Sequence, residues 1–322
     1  GMSSAAIGMT GATYFIGFIL GCYAIPLLIR QVGHIRVFAF CVAVLIVCIL
    51  SIARWPQIWF WLGLRAVTGA AMAGLYMIFE SWLNEQAPPS QRGSVLSFYG
   101  FVCIAALVLG QMLLFDAPLL SGASLVALIF AASVAPVVLT TSKAPSIPES
   151  VHPDFRFTYR ASQVGLLSAA ASGVVMGLLW SNGAVYASLH FDDPDAGARF
   201  IFWMLVGGLI CQVPVGRLSD RLDRRWVLLA LSLIGFFASG YWLLRGEPAQ
   251  LPLLWVGAIL GATAMPMYSL AIAHANDNAD GRFLQIAGAM LVANGLGSAF
   301  GPGLYALLNS LGMHEALFII VA

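Results

Sequence analysis

The chain is 322 residues long, 60% hydrophobic and only 9% charged, with a mean hydropathy of +0.90. Soluble domains hold roughly 45–50% apolar residues, and a soluble chain of this size could not bury the excess. A net charge of +1 supplies no basic or acidic field for nucleic acid.

Apolar runs of the ~20 residues needed to cross a bilayer fall at 5–29, 36–53, 58–83, 93–115, 119–140, 162–189, 199–217, 226–244, 252–275 and 283–308, and another begins near Ala316. Their length predicts an all-α membrane protein, since barrel strands would alternate over about ten residues. The first run has no basic segment before it and no small-residue cleavage site, so it reads as a span rather than a leader. Because the chain opens on a span and stops inside the apolar stretch Phe318–Ala322, it reads as a fragment.

Of the 15 Lys and Arg residues, eleven (Arg30, Arg36, Arg92, Lys143, Arg156, Arg160, Arg217, Arg221, Arg224, Arg225, Arg282) share one set of loops. The other side holds Arg54, Arg65, Arg199 and Arg245. That bias predicts cytoplasmic loops at 30–36, 84–92, 141–161, 216–225 and 276–282. The outer turn Asp192-Asp193-Pro194-Asp195 reads as a solvated loop rather than a metal cluster. The longest loop is rich in Pro, Ser and charge. It predicts a cytoplasmic linker at 141–161 between an N-terminal bundle at 1–140 and a C-terminal bundle at 162–322.

Cys22, Cys41, Cys48, Cys103 and Cys211 are scattered in apolar runs without a C-x-x-C pair, which reads as core rather than a disulfide framework or zinc site. No P-loop, H-E-x-x-H or G-x-S-x-G occurs, so the sequence calls for no cofactor, no metal and no enzyme chemistry. The five histidines, His34, His152, His190, His274 and His314, are dispersed, and only His274 near Asp277 offers a titrating group, against which a plain role at a cytoplasmic helix end is the preferred reading.

The densest charge lies in Gly216-Arg217-Leu218-Ser219-Asp220-Arg221-Leu222-Asp223-Arg224-Arg225, two acids and four arginines between two apolar runs. Two further patterns are Arg65-x-x-x-Gly69 and Glu85-Gln86-Ala87-Pro88-Pro89-Ser90-Gln91-Arg92-Gly93, in which Glu85 ends one span and Arg92 begins the next, placing them to pair across the turn. The halves also repeat. Gly69 and Tyr76 align with Gly261 and Tyr268 at an offset of 192, and Glu85 meets Asp277. Gly33 and Arg36 stand where the second half has Asp223 and Trp226, at an offset of 190, and Arg30 stands where it has Asp220. Internal repeats of this kind are common in transporters.

These motifs resemble the major facilitator superfamily of secondary transporters, closest to its YcaD-like bacterial branch. The resemblance covers the whole chain. It departs in the first-half loop, which keeps Gly33 and Arg36 but has Arg30 for the usual Asp. The antiporter pattern is missing at Gly110-Gln111, and a similar string occurs at Gly297–Gly303. The resemblance implies two six-helix bundles related by a pseudo-two-fold axis, here parent helices 2–6 and 7–11 with the start of 12. It implies a monomer in the inner membrane, passing a small-molecule substrate, with or without protons, by alternating access. Gly216, Asp220, Arg221, Arg224, Arg225, Glu85, Arg92, Gly33 and Arg36 would form the cytoplasmic gate. The alternative is a membrane sensor or scaffold on the same fold.

An ionisable group inside a membrane span is costly and marks function by default. Arg65 and Glu80 lie about 22 Å apart along one helix and cannot pair. With Gly69, Ala73 and Tyr76 they share a face, a candidate pathway, with Glu80 either a proton site or a structural charge and Arg65 either a substrate contact or an interfacial anchor. Trp180, Ser181 and Asn182 form a polar-aromatic patch in an apolar run, and Tyr268 repeats Tyr76. Gln111, Gln212 and Asn294 read as helix glue.

Overall fold

The computed structural model describes residues 4–55, 57–114, 119–140, 152–193, 195–245, 249–313 and 315–322. Residues 141–151 of the expected linker, Pro194 and His314 lie outside the described residues, as does the side chain of Gln111. The described residues form helices joined by short turns: α1 (Ser4–Val32), α2 (His34–Arg54), α3 (Ile58–Gln86), α4 (Arg92–Leu114), α5 (Leu119–Thr140), α6 (Phe155–Ala161), α7 (Gln163–Leu178), α8 (Ala184–His190), α9 (Ala196–Ser219), α10 (Arg224–Arg245), α11 (Gln250–Asn276), α12 (Phe283–Ser310) and α13 (Ala316–Val321). Among the described residues there is no strand, and nine helical stretches are long and apolar enough to cross a membrane. Hydrocarbon offers no partner for a free amide or carbonyl, so continuous helices are the spanning form these runs must take.

Two departures from the expected spans matter. A π-helical turn, Leu179–Gly183, joins α7 to α8 inside the run at 162–189, and it carries Trp180 and Asn182. The end of the linker forms the short α6, whose first turn is capped by Asp154 accepting from the Phe157 amide at 2.8 Å. Ser162 caps α7 in the same way through the Gly165 amide, 2.8 Å away.

The described chain gathers into two compact units. The first takes residues 1–86, 111–158 and 279–295; the second takes 87–110, 159–278 and 296–322. The start of α4 therefore packs with the helices of the second half, and the start of α12 with those of the first.

Within the first unit α1 lies against α3 with almost no side chain between them. A Cβ on Gly17 would fall on the Ala66 carbonyl, and one on Gly69 on the Tyr14 carbonyl. The second unit makes the same contacts at the same offsets of 190 and 192: Gly207 backs on Ala258, and Gly261 on the Met204 carbonyl. Small residues drive such pairs because apolar burial gives no advantage between helices already in lipid, leaving close van der Waals fit as the attraction. The first core is then filled by Phe18, Cys22, Ile29, Phe38, Leu45 and Met77, all buried. In the second, Phe200, Met204, Leu253 and Leu260 pack around Tyr186 and Trp242.

Tyr186 and Trp242 are polar at one end, and Glu315 satisfies both. The Tyr186 hydroxyl donates to Glu315 Oε2 at 2.6 Å, and Trp242 Nε1 donates to the Tyr186 oxygen at 2.8 Å. His190 stacks on the Tyr186 ring with centroids 4.0 Å apart. This ties α8, α10 and α13 together. Tyr186→Phe is expected to lower stability by about 1 kcal/mol, the net value of one such bond, read as a small fall in melting temperature in detergent. A fall too small to measure would mean that ring packing alone holds α13.

Candidate functional site

The charged loop after α9 meets the start of α4 within the second unit. Asp220 directs its carboxylate at the first turn of α4. Its Oδ1 accepts from the Gly93 amide at 2.8 Å, and its Oδ2 from the Ser94 amide at 2.7 Å and the Ser94 hydroxyl at 2.5 Å. The first amides of a helix have no intrahelical acceptor and carry positive partial charge, so a carboxylate is the favoured cap. A cap ordinarily comes from the residue just before the helix; this one comes from 127 residues further along the chain. It is a cross-link as much as a cap.

Arg224, the first residue of α10, extends the arrangement. Its Nη1 donates to Asp220 Oδ1 at 3.1 Å and to Ser219 Oγ at 3.0 Å, while its Nε donates to Asp277 Oδ2 at 2.9 Å. Asp277 also faces Arg92 at 3.6 Å, and Arg92 Nη1 donates to the Asn276 carbonyl at 2.6 Å. Charges alternate along Asp220, Arg224, Asp277 and Arg92, so the buried Asp220, Arg224 and Arg92 each have an opposite neighbour to offset their desolvation, Asp277 being the exposed member. Because Arg92 and Gly93 are adjacent, the chain of contacts closes on itself around α4, α9, α10 and α11.

Two glycines let the backbones come close enough. A Cβ on Gly93 would lie 2.6 Å from Asp220 Oδ1 and 2.5 Å from Arg224 Nη1. A Cβ on Gly216 would strike the Ser97 side chain. Gly216 of the charged motif thus sets the spacing between α9 and α4.

Of the expected gate residues, Gly216, Asp220, Arg224 and Arg92 come together here. Arg221 is exposed, and Arg225 faces its own loop at Asp223, 3.6 Å away, with side chains 65% and 49% exposed. Gly33, Arg36 and Glu85 belong to the first unit. Gly33 makes the turn between α1 and α2 with φ +86°, a left-handed conformation that glycine adopts without strain. Arg36 is exposed and Glu85 half-buried near the end of α3. Arg92 reaches the end of α11 at Asn276 and Asp277. The sequence reading did not place Gly93, Ser94, Ser219 or Asn276 in the cluster, and it named Asp277 as the repeat mate of Glu85 and a neighbour of His274 but not as a gate residue. That mate relation was the available signal.

The face of α3 named as a pathway turns toward α1. The Arg65 guanidinium lies over the Tyr14 ring, 4.7 Å from its centroid, and the Tyr76 ring is 6.2 Å from that of Phe18. Glu80 is 2% exposed, and its carbonyl accepts from Asn84 Nδ2 at 2.7 Å. In the second unit Trp180 is 41% exposed, while Asn182 Oδ1 is buried without a hydrogen-bond partner. Tyr268 is half-buried on α11. Gln212 does act as glue, donating from α9 to Ser269 Oγ on α11 at 2.9 Å.

On the outer side, Asp193 accepts from Gln250 and from the Asp195 amide and faces Arg199 at 3.0 Å. These donors, Gln250 foremost, hold its carboxyl below the usual range.

Long apolar helices, a repeated glycine-mediated pairing and a charged cluster joining elements from both halves define a polytopic membrane protein of the secondary-transporter class. Residues 164–322 match the Major Facilitator Superfamily pattern, and residues 2–156 match the Sugar (and other) transporter pattern. The chain belongs to the major facilitator superfamily, a family of transporters and not of enzymes. An uncharacterized MFS-type transporter of Yersinia pseudotuberculosis is 28% identical over 98% of this chain and 83% of its own length. The uncharacterized MFS-type transporter YcaD of Escherichia coli is 26% identical over 100% of this chain and 84% of its own. Among solved structures, the E. coli fucose:proton symporter superposes with a TM-score of 0.75 at 15% identity, covering 99% of this chain and 89% of that one. The human organic anion transporter gives 0.76 at 18% identity, covering 98% and 80%. These superpositions share the fold.

Proposed function

We propose that the protein moves a small solute across the bacterial inner membrane by alternating access, as a monomer, with its charged end and the 141–161 linker in the cytoplasm. The single observation that carries this reading is the Asp220 cap on α4. It is a cross-link made of hydrogen bonds and ion pairs, strong enough to hold one state and reversible enough to release another. The excess of basic residues at that end supports its orientation. Conformational exchange needs a ligand that binds one state better, and Glu80 is our candidate for the coupling proton, as a carboxyl buried in a membrane helix. Arg65, Tyr76, Trp180, Asn182 and Tyr268 are the candidate substrate contacts. Asn182 has the most specific support, because its buried carbonyl oxygen lies on a π-helical turn, a feature found often at functional sites.

The test uses the full chain in proteoliposomes with an internal pH dye and a panel of sugars, organic acids, amino acids and organic cations. Substrate-driven proton flux is expected, with Glu80→Gln reducing it at least tenfold while the protein remains folded. Flux undiminished in Glu80→Gln would assign coupling to another group. Solute movement without proton flux would make the protein a facilitator.

A further inference from the structure

Where Tyr186, Trp242 and Glu315 meet, His190 adds a basic atom turned toward the same carboxylate. Tyr186 and His190 stand four residues apart on α8 and so share a face; their stacked rings are inclined by 23°. His190 Nδ1 lies 2.9 Å from the Tyr186 carbonyl. A carbonyl only accepts, so Nδ1 carries the imidazole hydrogen and Nε2 is left as the basic atom. Nε2 faces Glu315 Oε1 at 4.0 Å. The other oxygen, Oε2, is taken by the Tyr186 hydroxyl and by Trp242 Nε1 at 3.2 Å. With the imidazole neutral, a lone pair is turned toward a carboxylate and no bond forms. One proton on Nε2 makes the two groups donor and acceptor, and an approach of about 1 Å brings them to hydrogen-bond distance. Both side chains reach solvent, His190 at 26% exposure and Glu315 at 41%, so water can deliver the proton.

The elements around this pair bring few other charges. In the turn before α9 and at its start, Asp193 faces Arg199 at 3.0 Å, while Asp192 and Asp195 are exposed. Cys211 and Arg217 lie toward the other end of α9. On α10, Arg245 donates to the Tyr241 hydroxyl at 2.9 Å. α12 brings Tyr305, which lies in the field of Glu315. α7, the π-helical turn and α13 itself carry no titratable group. Phe318 of α13 packs on the rings of Tyr186 and Trp242, with centroids 5.2 and 5.5 Å apart, so the start of α13 is seated on α8 and α10 beside the pair.

We propose that His190 and Glu315 form a proton-binding site at the end of the second unit opposite the charged cluster, where a proton taken up on Nε2 clasps the start of α13 to the end of α8. The site is separate from Glu80 and does not rest on the alternating-access reading. Across about pH 5–8 a histidine changes charge, while ordinary carboxylates stay ionised, tyrosines neutral and arginines charged. The clasp is therefore closed at the acid end of that range and opens as pH rises through the imidazole titration. An ion pair this open to water moves a balance by about threefold rather than by decades. The proton thus tunes the seating of α13, which the Tyr186 and Trp242 contacts hold in place.

The test uses the full chain in lipid nanodiscs and reads deuterium exchange of the α13 amides from about pH 5.5 to about pH 8, corrected for intrinsic exchange. Protection is expected to be about threefold higher at the acid end. His190→Gln and Glu315→Gln are each expected to remove that difference. Glu315→Gln keeps an acceptor for Tyr186 and Trp242 while removing the charge, so the proposal stays testable if the histidine variant misfolds. His314→Gln, beside Glu315 in the chain, is expected to keep the parent profile. Nitrogen NMR of isotope-labelled histidines, with the His190 signal assigned by its loss in His190→Gln, is expected to show the neutral ring carrying its hydrogen on Nδ1. Protection independent of pH in the parent would overturn the proposal. So would a profile that survives in His190→Gln or vanishes in His314→Gln, or a neutral ring with its hydrogen on Nε2.

Discussion

Asp220→Ala is expected to release the start of α4. The substitution removes the acceptor of the Gly93 and Ser94 amides and of the Ser94 hydroxyl, and leaves Arg224 with Asp277 as its one carboxylate partner. Removing one side of a desolvated charge pair costs about 3–5 kcal/mol, because the remaining charge stays buried. At about 1.4 kcal/mol per decade, the balance between states that keep and break this contact should move by about two to four orders of magnitude. Distances between labels on α4 and α10 would report it directly. Asp220→Asn keeps one carbonyl acceptor and should fall between Ala and the parent. Arg225→Ala, at an exposed pair, should change the balance little, since surface substitutions stay within about 0.5 kcal/mol. An Asp220→Ala protein with the parent's distances would show that the cap does not select a state.

Gly261→Leu is expected to lower stability sharply. Even a Cβ at this position falls on the Met204 carbonyl, so α9 and α11 must separate along their whole crossing. Forcing a side chain into a filled interface costs about 1–3 kcal/mol and occasionally more; here the obstacle is backbone, which cannot rotate away, so about 3 kcal/mol is expected. A fall of roughly 6–12 °C in melting temperature follows, measurable by tryptophan fluorescence in detergent. Gly69→Leu should behave alike, because it meets the Tyr14 carbonyl in the corresponding place. Gly240→Ala is the control: its Cβ meets nothing within 4 Å, and alanine favours helix over glycine. Equal melting of Gly261→Leu and Gly240→Ala would mean that the α9–α11 crossing is looser than its geometry implies.

Sequence alone determined the class of this protein, because the signals involved are one-dimensional. A bilayer demands long unbroken apolar runs, and the runs at 36–53 and 252–275 could fold there only as α2 and α11. The repeat was legible through glycines spaced to admit a neighbouring backbone, and the contacts of Gly69 and Gly261 explain why those positions match. The charged motif announced Asp220 and Arg224 because six charges between two membrane helices have few places to go.

Partners were decided only by the tertiary structure. The spacing of Glu85 and Arg92 gives no sign that Arg92 meets Asp277 at the end of α11. The packing of α4 beside α11 directs it to Asp277 and the Asn276 carbonyl. The acceptor for the amides of Gly93 and Ser94 was likewise invisible, since amides belong to every residue and a cap supplied from a distant loop leaves no local pattern. The face of Arg65, Gly69, Tyr76 and Glu80 followed from helical periodicity, but periodicity gives a direction around one axis and not the neighbour met there; the close approach of α1 decided that. Tyr186, Trp242 and Glu315 stand far apart along the chain and meet because α8, α10 and α13 converge. A side chain's type and period can be read in one dimension, whereas its partner depends on which helices touch, and that is settled only when the whole bundle packs.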